Sequence, residues 1–517
     1  MTLVSTLGLR GNPFEHYTAE TEPDIASYAV RPPYLQAISD RVLGLTSFIL
    51  FGDRGSGKSA TRITVYGEIW KRIAASPAER NPFVVNLTDY SALQTALRKD
   101  RLTEQDLVRT VAFFVVEQTL VWLASLEEEE RKVFVETLDK DERTLAFAII
   151  QGFYLSVGEM DRAITTGEAL KLLNSAWTTK SALWVGRRWE ALSKILAGAV
   201  ATLSRKTFDE SLDISAPAEQ ILRSLVGDSP NISRAILSKL AEFVYIFGFS
   251  GVVILVDKVD ETPATANSAE STTKLVFPLL SHIQLLEVSG FSWVLFLWSK
   301  VRDHFNGDKY NVRLDKLAHA NITWTAESLR DMLEARISFF SGSKMKFADI
   351  FEEDVDVAAS LRSIVSIATN SPRELIKLMD TIFREHDARG DSAPLRIDMK
   401  SLEIGQDKYV VETIAGFFAE KPLQQVLRLG RTTFVNRDVQ AAFKIRDQSA
   451  RVKIRNWEDA GIVRQSGVQA PTVELGGQPA YRFVVSDPRV VRIIERKLID
   501  TVGETVGEEE EEEESEE

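Results

Sequence analysis

The chain of 517 residues contains no cysteine and only five histidines. Without cysteine, disulfides and thiolate metal sites are excluded. The histidines are His16, His282, His304, His319 and His386. They do not have the spacing of a metal site. The chain has no run of about 18 uncharged apolar residues, and Met1–Arg10 lacks the apolar core of a signal peptide. We therefore expect a cytoplasmic protein without a membrane span.

One segment lacks basic residues altogether. Residues 501–517 hold ten glutamates and no lysine or arginine. Without this segment, 65 acidic residues face 62 basic ones, so the net charge changes from −13 to −3. The sequence predicts that this self-repelling acidic tail is disordered. In contrast, Lys421–Asp500 carries 15 basic and eight acidic residues, a net charge of +7.

The most informative motif is a glycine-rich segment that follows a predicted strand, Thr46–Phe51, and precedes a predicted helix. It has the pattern Gly-x-x-x-x-Gly-Lys-Ser, which is typical of a phosphate-binding loop. The loop consists of Gly52, Asp53, Arg54, Gly55, Ser56, Gly57, Lys58 and Ser59. Its glycines let backbone N–H groups face a phosphate. Lys58 can reach the β- and γ-phosphates and the Ser59 hydroxyl can ligate Mg²⁺, so ATP and Mg²⁺ are the expected ligands.

Further apolar runs predict the rest of a sheet. They are Phe83–Leu87, Gly251–Val256, Phe291–Leu297 and the shorter Asn321–Trp324. Because these runs are continuous and are joined through helical segments, they favour a parallel sheet that is covered on both faces. The predicted fold class is α/β, with the parallel sheet of a P-loop NTPase. Ligand sites in such sheets lie at the carboxyl ends of the strands.

Polar residues at two strand ends are candidates for the second half of the site. Asp257 ends the most apolar strand, where a carboxylate associated with Mg²⁺ is expected. The next position usually holds an acid that polarises the attacking water, but here it is Lys258. Asp260 or Glu261 can stand in for that acid, or hydrolysis is slow or absent. Ser299 either contacts the γ-phosphate or the lytic water, or is an ordinary loop serine.

From Gly8 to Arg389 the chain resembles the AAA+ ATPases and their signalling relatives, the STAND ATPases. It looks closest to the branch of origin-recognition proteins, helicase loaders and transposition ATPases. The matching segments are Gly52–Ser59 for Walker A, Val252–Asp257 for Walker B, Ser299 for sensor 1, Asn370–Leu375 for sensor 2 and Gly8–Phe14 for the Asn-Pro-Phe opening of some relatives. The resemblance implies that Arg373 of sensor 2 reaches the γ-phosphate. It also implies a homo-oligomeric ring or filament, with Arg302 or Arg313 as the candidate arginine finger.

The resemblance also suggests domain boundaries. The helical stretch between the second strand and Walker B is longer than the family's usual spacing, so it is interpreted as an inserted domain that can bind a protein partner. The expected domains are an ATPase core (1–90 and 250–325), a helical insertion (91–249), a helical lid (326–400), a winged-helix domain (401–500) and the acidic tail (501–517).

The segment Lys421–Asp500, which we call the basic region, resembles a winged helix. It contains two predicted helices, Arg437–Phe443 after a cap at Asn436 and Gln448–Ala460 after a cap at Asp447, and then two predicted strands, Ile462–Gln465 and Tyr481–Val485. Ala450, Ile454 and Trp457 are expected to pack inward. The candidate DNA contacts are Arg446, Arg451, Lys453, Arg455 and Arg464. Such a domain can also serve protein contacts or pack on the ATPase, because fold alone does not decide function.

These observations favour an ATP-dependent, oligomerising AAA+-like ATPase that acts with DNA. Mobile-element biology, replication and antiphage defence are all compatible contexts. One alternative is a STAND-like signalling switch that senses a protein partner through the insertion. Another is an ATP-binding scaffold without turnover, which the lysine at position 258 suggests.

Overall fold

The computed structural model describes residues 2–22, 25–30, 33–76, 79–127, 129, 137–157, 220–221, 231–265, 268–307, 309–469 and 479–499. Its residues form two compact units. The first unit lies within 23–323, and the second combines 2–22 with 324–499. Much of the predicted helical insertion and all of the acidic tail lie outside the described residues.

Helices and strands are numbered along the chain. The helices are α1 Leu3–Thr6, α2 Ile25–Tyr28, α3 Pro33–Leu43, α4 Lys58–Ala75, α5 Gln94–Arg98, α6 Glu104–Ser125, α7 Lys140–Ile149, α8 Ile232–Tyr245, α9 Ala269–Leu280, α10 Ile283–Leu286, α11 Ala326–Ser341, α12 Val357–Ile367, α13 Pro372–Ala388, α14 Met399–Thr413, α15 Glu420–Leu429, α16 Asn436–Phe443, α17 Asp447–Asp459 and α18 Pro488–Glu495. The strands are β1 Phe48–Gly52, β2 Phe83–Leu87, β3 Val252–Val256, β4 Phe291–Trp298, β5 His319–Asn321, β6 Thr433–Val435, β7 Val463–Gln469 and β8 Ala480–Val485.

The first unit is built on a five-stranded parallel sheet in the order β2-β3-β4-β1-β5. Strands β1, β2 and β3 are buried along their whole length, which is why their sequences are apolar except for Asn86 of β2. The predicted α/β fold with a parallel sheet is confirmed.

The strand order places three candidate site segments side by side. Strand β4 lies between β1 and β3, and all three run in the same direction. Their carboxyl ends therefore meet at one edge of the sheet, where the loop Gly52–Ser59 follows β1, Ser299 follows β4 and Asp257 follows β3.

The last strand of this sheet differs from the prediction. The sequence predicted Asn321–Trp324, but β5 comprises His319–Asn321 and pairs with Ile49–Phe51. Beyond it, Ile322 still donates its N–H to the Phe51 carbonyl. Strand β5 is an edge strand with a neighbour on one side only, so its residues need not be as apolar as those of the central strands. For this reason the apolar pattern placed the start of the strand too late.

Helix α6 is a buried core helix. Within the described residues it is the one helix long and apolar enough to cross a membrane, but 89% of its apolar window is buried. It packs against β2 and α8. The Trp122 ring lies 4.8 Å from the Phe249 ring, measured between centroids. This packing is that of a buried core helix.

The segment 2–22 packs within the second unit. Arg336 of α11 donates to the carbonyl of Pro13 at 2.7 Å and to both carboxylate oxygens of Glu22. Both charged side chains are almost fully buried. Phe14 meets Phe383 of α13 edge to face. The Asn-Pro-Phe segment is thus part of the packing of α11 and α13.

The basic region forms the end of the second unit. Its elements follow the order α15, β6, α16, α17, β7, β8 and α18, and the three strands make an antiparallel sheet in the order β6-β8-β7. Ala450, Ile454 and Trp457 are buried, as the helical spacing predicted. Strand β6 was not predicted from the sequence.

Both predicted helix caps in this region are wrong by one residue. Asn436 is the first residue of α16, after Val435, and Asp447 is the first residue of α17, after Arg446. The Asn436 side-chain amide donates to the Asp447 carboxylate at 2.7 Å. The two side chains therefore join the starts of the two helices instead of capping them. Strand β7 extends past the predicted end at Gln465 to Gln469, so Gly467 lies inside it.

Candidate functional site

The glycine-rich loop has the shape of a phosphate cradle. Gly57 adopts a left-handed conformation, with φ of 89°, immediately before the 18-residue helix α4. A Cβ added to Gly52 would lie 2.5 Å from the Ser56 hydroxyl and 3.0 Å from Ile322. Glycine is therefore required at the turn into and out of the loop. The positive end of α4 and its first backbone N–H groups face the space that the loop surrounds, which suits an anion.

Lys58 is buried beneath this loop. Its ammonium donates to the carbonyls of Gly52 at 2.9 Å and Asp53 at 3.1 Å. Burial lowers the pKa of Lys58, and the negative charge of nearby carboxylates opposes that shift. The carboxylates are those of Asp260, Asp257, Glu261 and Asp53. The acids predicted from the Walker B segment are therefore gathered around the lysine of the loop.

An arginine that the sequence analysis did not single out joins the two halves of the site. Arg62, on the second turn of α4, donates from Nε to Asp257 Oδ2 at 3.0 Å. Both side chains are 2% exposed. Arg62 also donates to the Asn86 side-chain oxygen of β2 at 2.9 Å, and the Tyr90 hydroxyl donates to the Asp257 carbonyl at 2.8 Å. Asp257 is thus held by its side chain and its backbone.

The sequence contained a signal for this arginine. Arg62 falls on the same face of α4 as Val65, Tyr66 and Ile69, all of which are buried. A charged residue on an apolar helix face needs a buried partner, because an unpaired buried charge is very costly. A carboxylate at the end of a neighbouring strand is such a partner.

Ser59 and Asp257 fit a magnesium ion. Ser59 lies three residues before Arg62, so the two side chains leave α4 on the same side, and Arg62 contacts Asp257. A hydroxyl and a carboxylate are oxygen ligands of the kind that Mg²⁺ prefers, together with phosphate oxygens and water. Ser59 and Asp257 would hold Mg²⁺, which would supply charge neutralisation for bound phosphates.

The two candidates for the missing catalytic acid differ in environment. Asp260 is buried, and its carboxylate accepts from Arg54 Nε at 3.0 Å. The Arg54 guanidinium also lies 4.3 Å from the Trp298 ring centroid. Because Arg54 follows β1, Asp260 follows β3 and Trp298 ends β4, these contacts connect the ends of the three strands. Glu261 is exposed. Lys258, at the usual position of the acid, has a φ of 60°.

The remaining nucleotide-site candidates lie on separate elements. Ser299 is half-buried at the end of β4, and Arg302 is exposed, with its guanidinium 5.8 Å from the Phe51 ring centroid. Arg313 is exposed and donates two hydrogen bonds to Asp315. Arg373 is half-buried near the start of α13 in the second unit. Their roles stay predictions.

The candidate DNA contacts divide into two groups. Arg446, Arg451, Arg455 and Arg464 are exposed. Arg451 and Arg455 share one face of α17, whereas Lys453 projects about 160° away from both, because each residue turns an α-helix by about 100°. The Lys453 ammonium lies 4.7 Å from the Phe443 ring centroid and is partly buried.

Comparisons with known proteins give weak likenesses. No protein-family model and no curated protein matches the chain. Among solved structures, it is similar to the ORC1 protein of Aeropyrum pernix in complex with DNA, with 11% identity and a TM-score of 0.35 over 94% of this chain and 97% of that one. It is also similar to the Aeropyrum pernix ORC2 protein, with 10% identity and a TM-score of 0.40 over 94% and 99%. A Walker-type ATPase of Pyrococcus abyssi has 9% identity and a TM-score of 0.38 over 92% and 99%. A likeness at this level transfers neither an activity nor a partner to this chain.

The pair between Arg62 and Asp257 can be tested by a double-mutant cycle. Arg62→Met leaves a buried carboxylate without this partner, so we expect it to lower the free energy of unfolding by about 3–5 kcal/mol. Asp257→Asn in the same background is expected to recover part of that loss. Urea unfolding of the wild type, both single variants and the double variant gives the coupling energy. Additive effects would contradict the buried pair.

Proposed function

We propose that this chain is an AAA+-type ATPase that binds ATP–Mg²⁺ in its first unit. The observation that carries the proposal is the convergence of Lys58, Ser59 and Asp257 at one edge of the sheet, with Arg62 bridging α4 and β3. The strand order supports this proposal, because β4 lies between β1, which leads into the loop, and β3, which leads into Asp257. Lys58 and the backbone N–H groups of the loop bind the phosphates, and Asp257 orients the metal.

Glu261 is the better candidate for the residue that activates water. Asp260 is already engaged by Arg54 in a buried pair, and removing its charge would leave that guanidinium without its partner. Glu261 is exposed and its charge acts on Lys58, so it belongs to the same site. A general base must be reached by the water it deprotonates, and the solvent exposure of Glu261 favours it for that reason.

Assembly of several copies belongs to the same proposal. Arg302 follows β4 directly and is exposed, so it can reach a second copy of the chain. The guanidinium of Arg313 is occupied by Asp315, which makes it the weaker candidate for a finger. In this proposal ATP binding favours a ring or filament.

The basic region is proposed to act as a winged helix that binds DNA. The order of its helices and strands and its antiparallel sheet support this interpretation. Arg451 and Arg455 project from α17 about 90–130° away from the centre of its buried face, and both are exposed. A helix with this distribution of charge can enter the major groove while flanking arginines contact phosphates.

An ATP-binding scaffold or STAND-like switch is the second candidate. It is favoured by Lys258, which lies where the catalytic acid is expected, and by the pair between Arg54 and Asp260, which closes the loop against the end of β3. In that case nucleotide binding, without turnover, changes the state of the molecule.

ATP binding should depend on Lys58. We expect Lys58→Ala to weaken binding of a fluorescent ATP analogue at least tenfold, because the ammonium beneath the loop is lost. Lys71→Ala is the matched control, since Lys71 is an exposed lysine of the same helix. If both variants bind the analogue as the wild type does, the loop is not a nucleotide site. ATP hydrolysis that is lost in Lys58→Ala would exclude the scaffold.

DNA binding should depend on the exposed face of α17. We expect Arg451→Glu combined with Arg455→Glu to abolish duplex binding at low salt, and the wild type to lose affinity steeply as salt rises. The control combines Arg362→Glu and Lys400→Glu, two exposed cations elsewhere in the second unit. Fluorescence anisotropy with a labelled duplex measures both. Equal affinity in the two double variants would refute this face as the contact.

A further inference from the structure

Two cations of the basic region lie close to one aromatic ring, and the charge of a third, Lys421, acts on one of them. The Arg428 guanidinium lies 5.4 Å and the Lys453 ammonium 4.7 Å from the centroid of Phe443. Lys421 and Arg428 are both exposed on α15. We call Lys421, Arg428, Lys453 and Phe443 the Phe443 cluster.

The cations of this cluster repel one another. Burial lowers the pKa of Lys453, and the positive charges of Lys421 and Arg428 lower it further. Within the part of the chain that the structure describes, the charged groups that act on Lys453 are the cations Lys421 and Arg428, with no carboxylate among them. The neighbouring acid, Glu420, accepts a hydrogen bond from Gln424 at 2.6 Å. Because like charges at close range disfavour each other, a bound anion would stabilise the cluster.

The cluster is separate from the proposed DNA face. Lys453 projects about 160° away from Arg451 and Arg455 around α17. A duplex that receives one face of this helix in its groove leaves the other face, and with it the Phe443 ring, to a different ligand. Contact of a duplex with Arg451 and Arg455 therefore does not account for Lys453 and the ring beside it.

The acidic tail has both the charge and the position to occupy the cluster. Helix α18, after which the chain continues into 501–517, packs against α15, the helix that carries Lys421 and Arg428. Eight residues lie between Ile499 and Glu508, and the nine steps from one to the other correspond to about 30 Å of extended chain. The tail holds ten glutamates and no basic residue.

We propose that the acidic tail, residues 501–517, binds the Phe443 cluster as an internal polyanion. Its glutamate carboxylates pair with Lys421, Arg428 and Lys453. The contact is electrostatic and weakens as salt rises. It requires neither nucleotide nor DNA, so it stands or falls independently of the proposed function.

The test uses the full chain with its ten tail glutamates replaced by glutamine, which leaves the cluster open. A fluorescein-labelled peptide with the sequence of residues 501–517 is added, and its anisotropy is followed at low salt. We expect saturable binding that a charge reversal, Lys421→Glu with Arg428→Glu, weakens at least tenfold. The control, Arg362→Glu with Lys400→Glu, is expected to change affinity less than twofold. Circular dichroism checks that each variant is folded. If the charge reversal unfolds the protein, the milder double variant Lys421→Gln with Arg428→Gln replaces it.

Three results would overturn the proposal. The first is peptide binding that is equal in the cluster and control variants, or absent from all of them. The second is binding that is lost in Arg451→Glu with Arg455→Glu but not in the cluster variant, which would place the tail on the DNA face. The third is a cluster variant that loses duplex affinity while peptide affinity is unchanged, which would make nucleic acid the ligand of the cluster.

Discussion

The site of this molecule depends on one buried ion pair. Arg62 connects the helix after the phosphate-binding loop to the carboxylate that ends β3, across the intervening strand β4. Two ions so deeply buried pay a large desolvation cost, and a well-packed apolar pair would often be at least as stable. We infer that the function of the pair is geometric: it fixes Asp257 relative to Lys58 and Ser59, the residues proposed to bind phosphates and metal.

A second guanidinium extends this constraint to the rest of the loop. Arg54 joins the loop to Asp260 and lies over Trp298, directly before Ser299. The ends of β1, β3 and β4 are therefore connected by two arginines, one fully buried and one partly exposed. The exposed pair is the weaker of the two, because solvent screens it. A ligand in the loop can displace the Arg54 contact more easily than the Arg62 contact, which leaves Asp257 in place.

Local patterns in the sequence predicted the sheet and the loop well, since both depend on short runs of residues. The apolar runs located β2, β3 and β4, and the Gly-Lys-Ser ending located the start of α4. Arg62 was missed because its partner lies 195 residues away and depends on the strand order. The packing of Glu22 on Arg336 was missed for the same reason. At Asn436 and Asp447, the side chains bind each other, a contact that capping preferences do not contain.

The most direct test of the account is calorimetric titration of ATP into the wild-type protein with and without Mg²⁺. If Asp257 is held by Arg62 to receive the metal, affinity should be at least tenfold higher with Mg²⁺. Arg62→Lys, which keeps the charge but loses the fork of donors, should remove most of that difference while metal-free binding remains. Equal affinity with and without Mg²⁺ in the wild type would contradict the account.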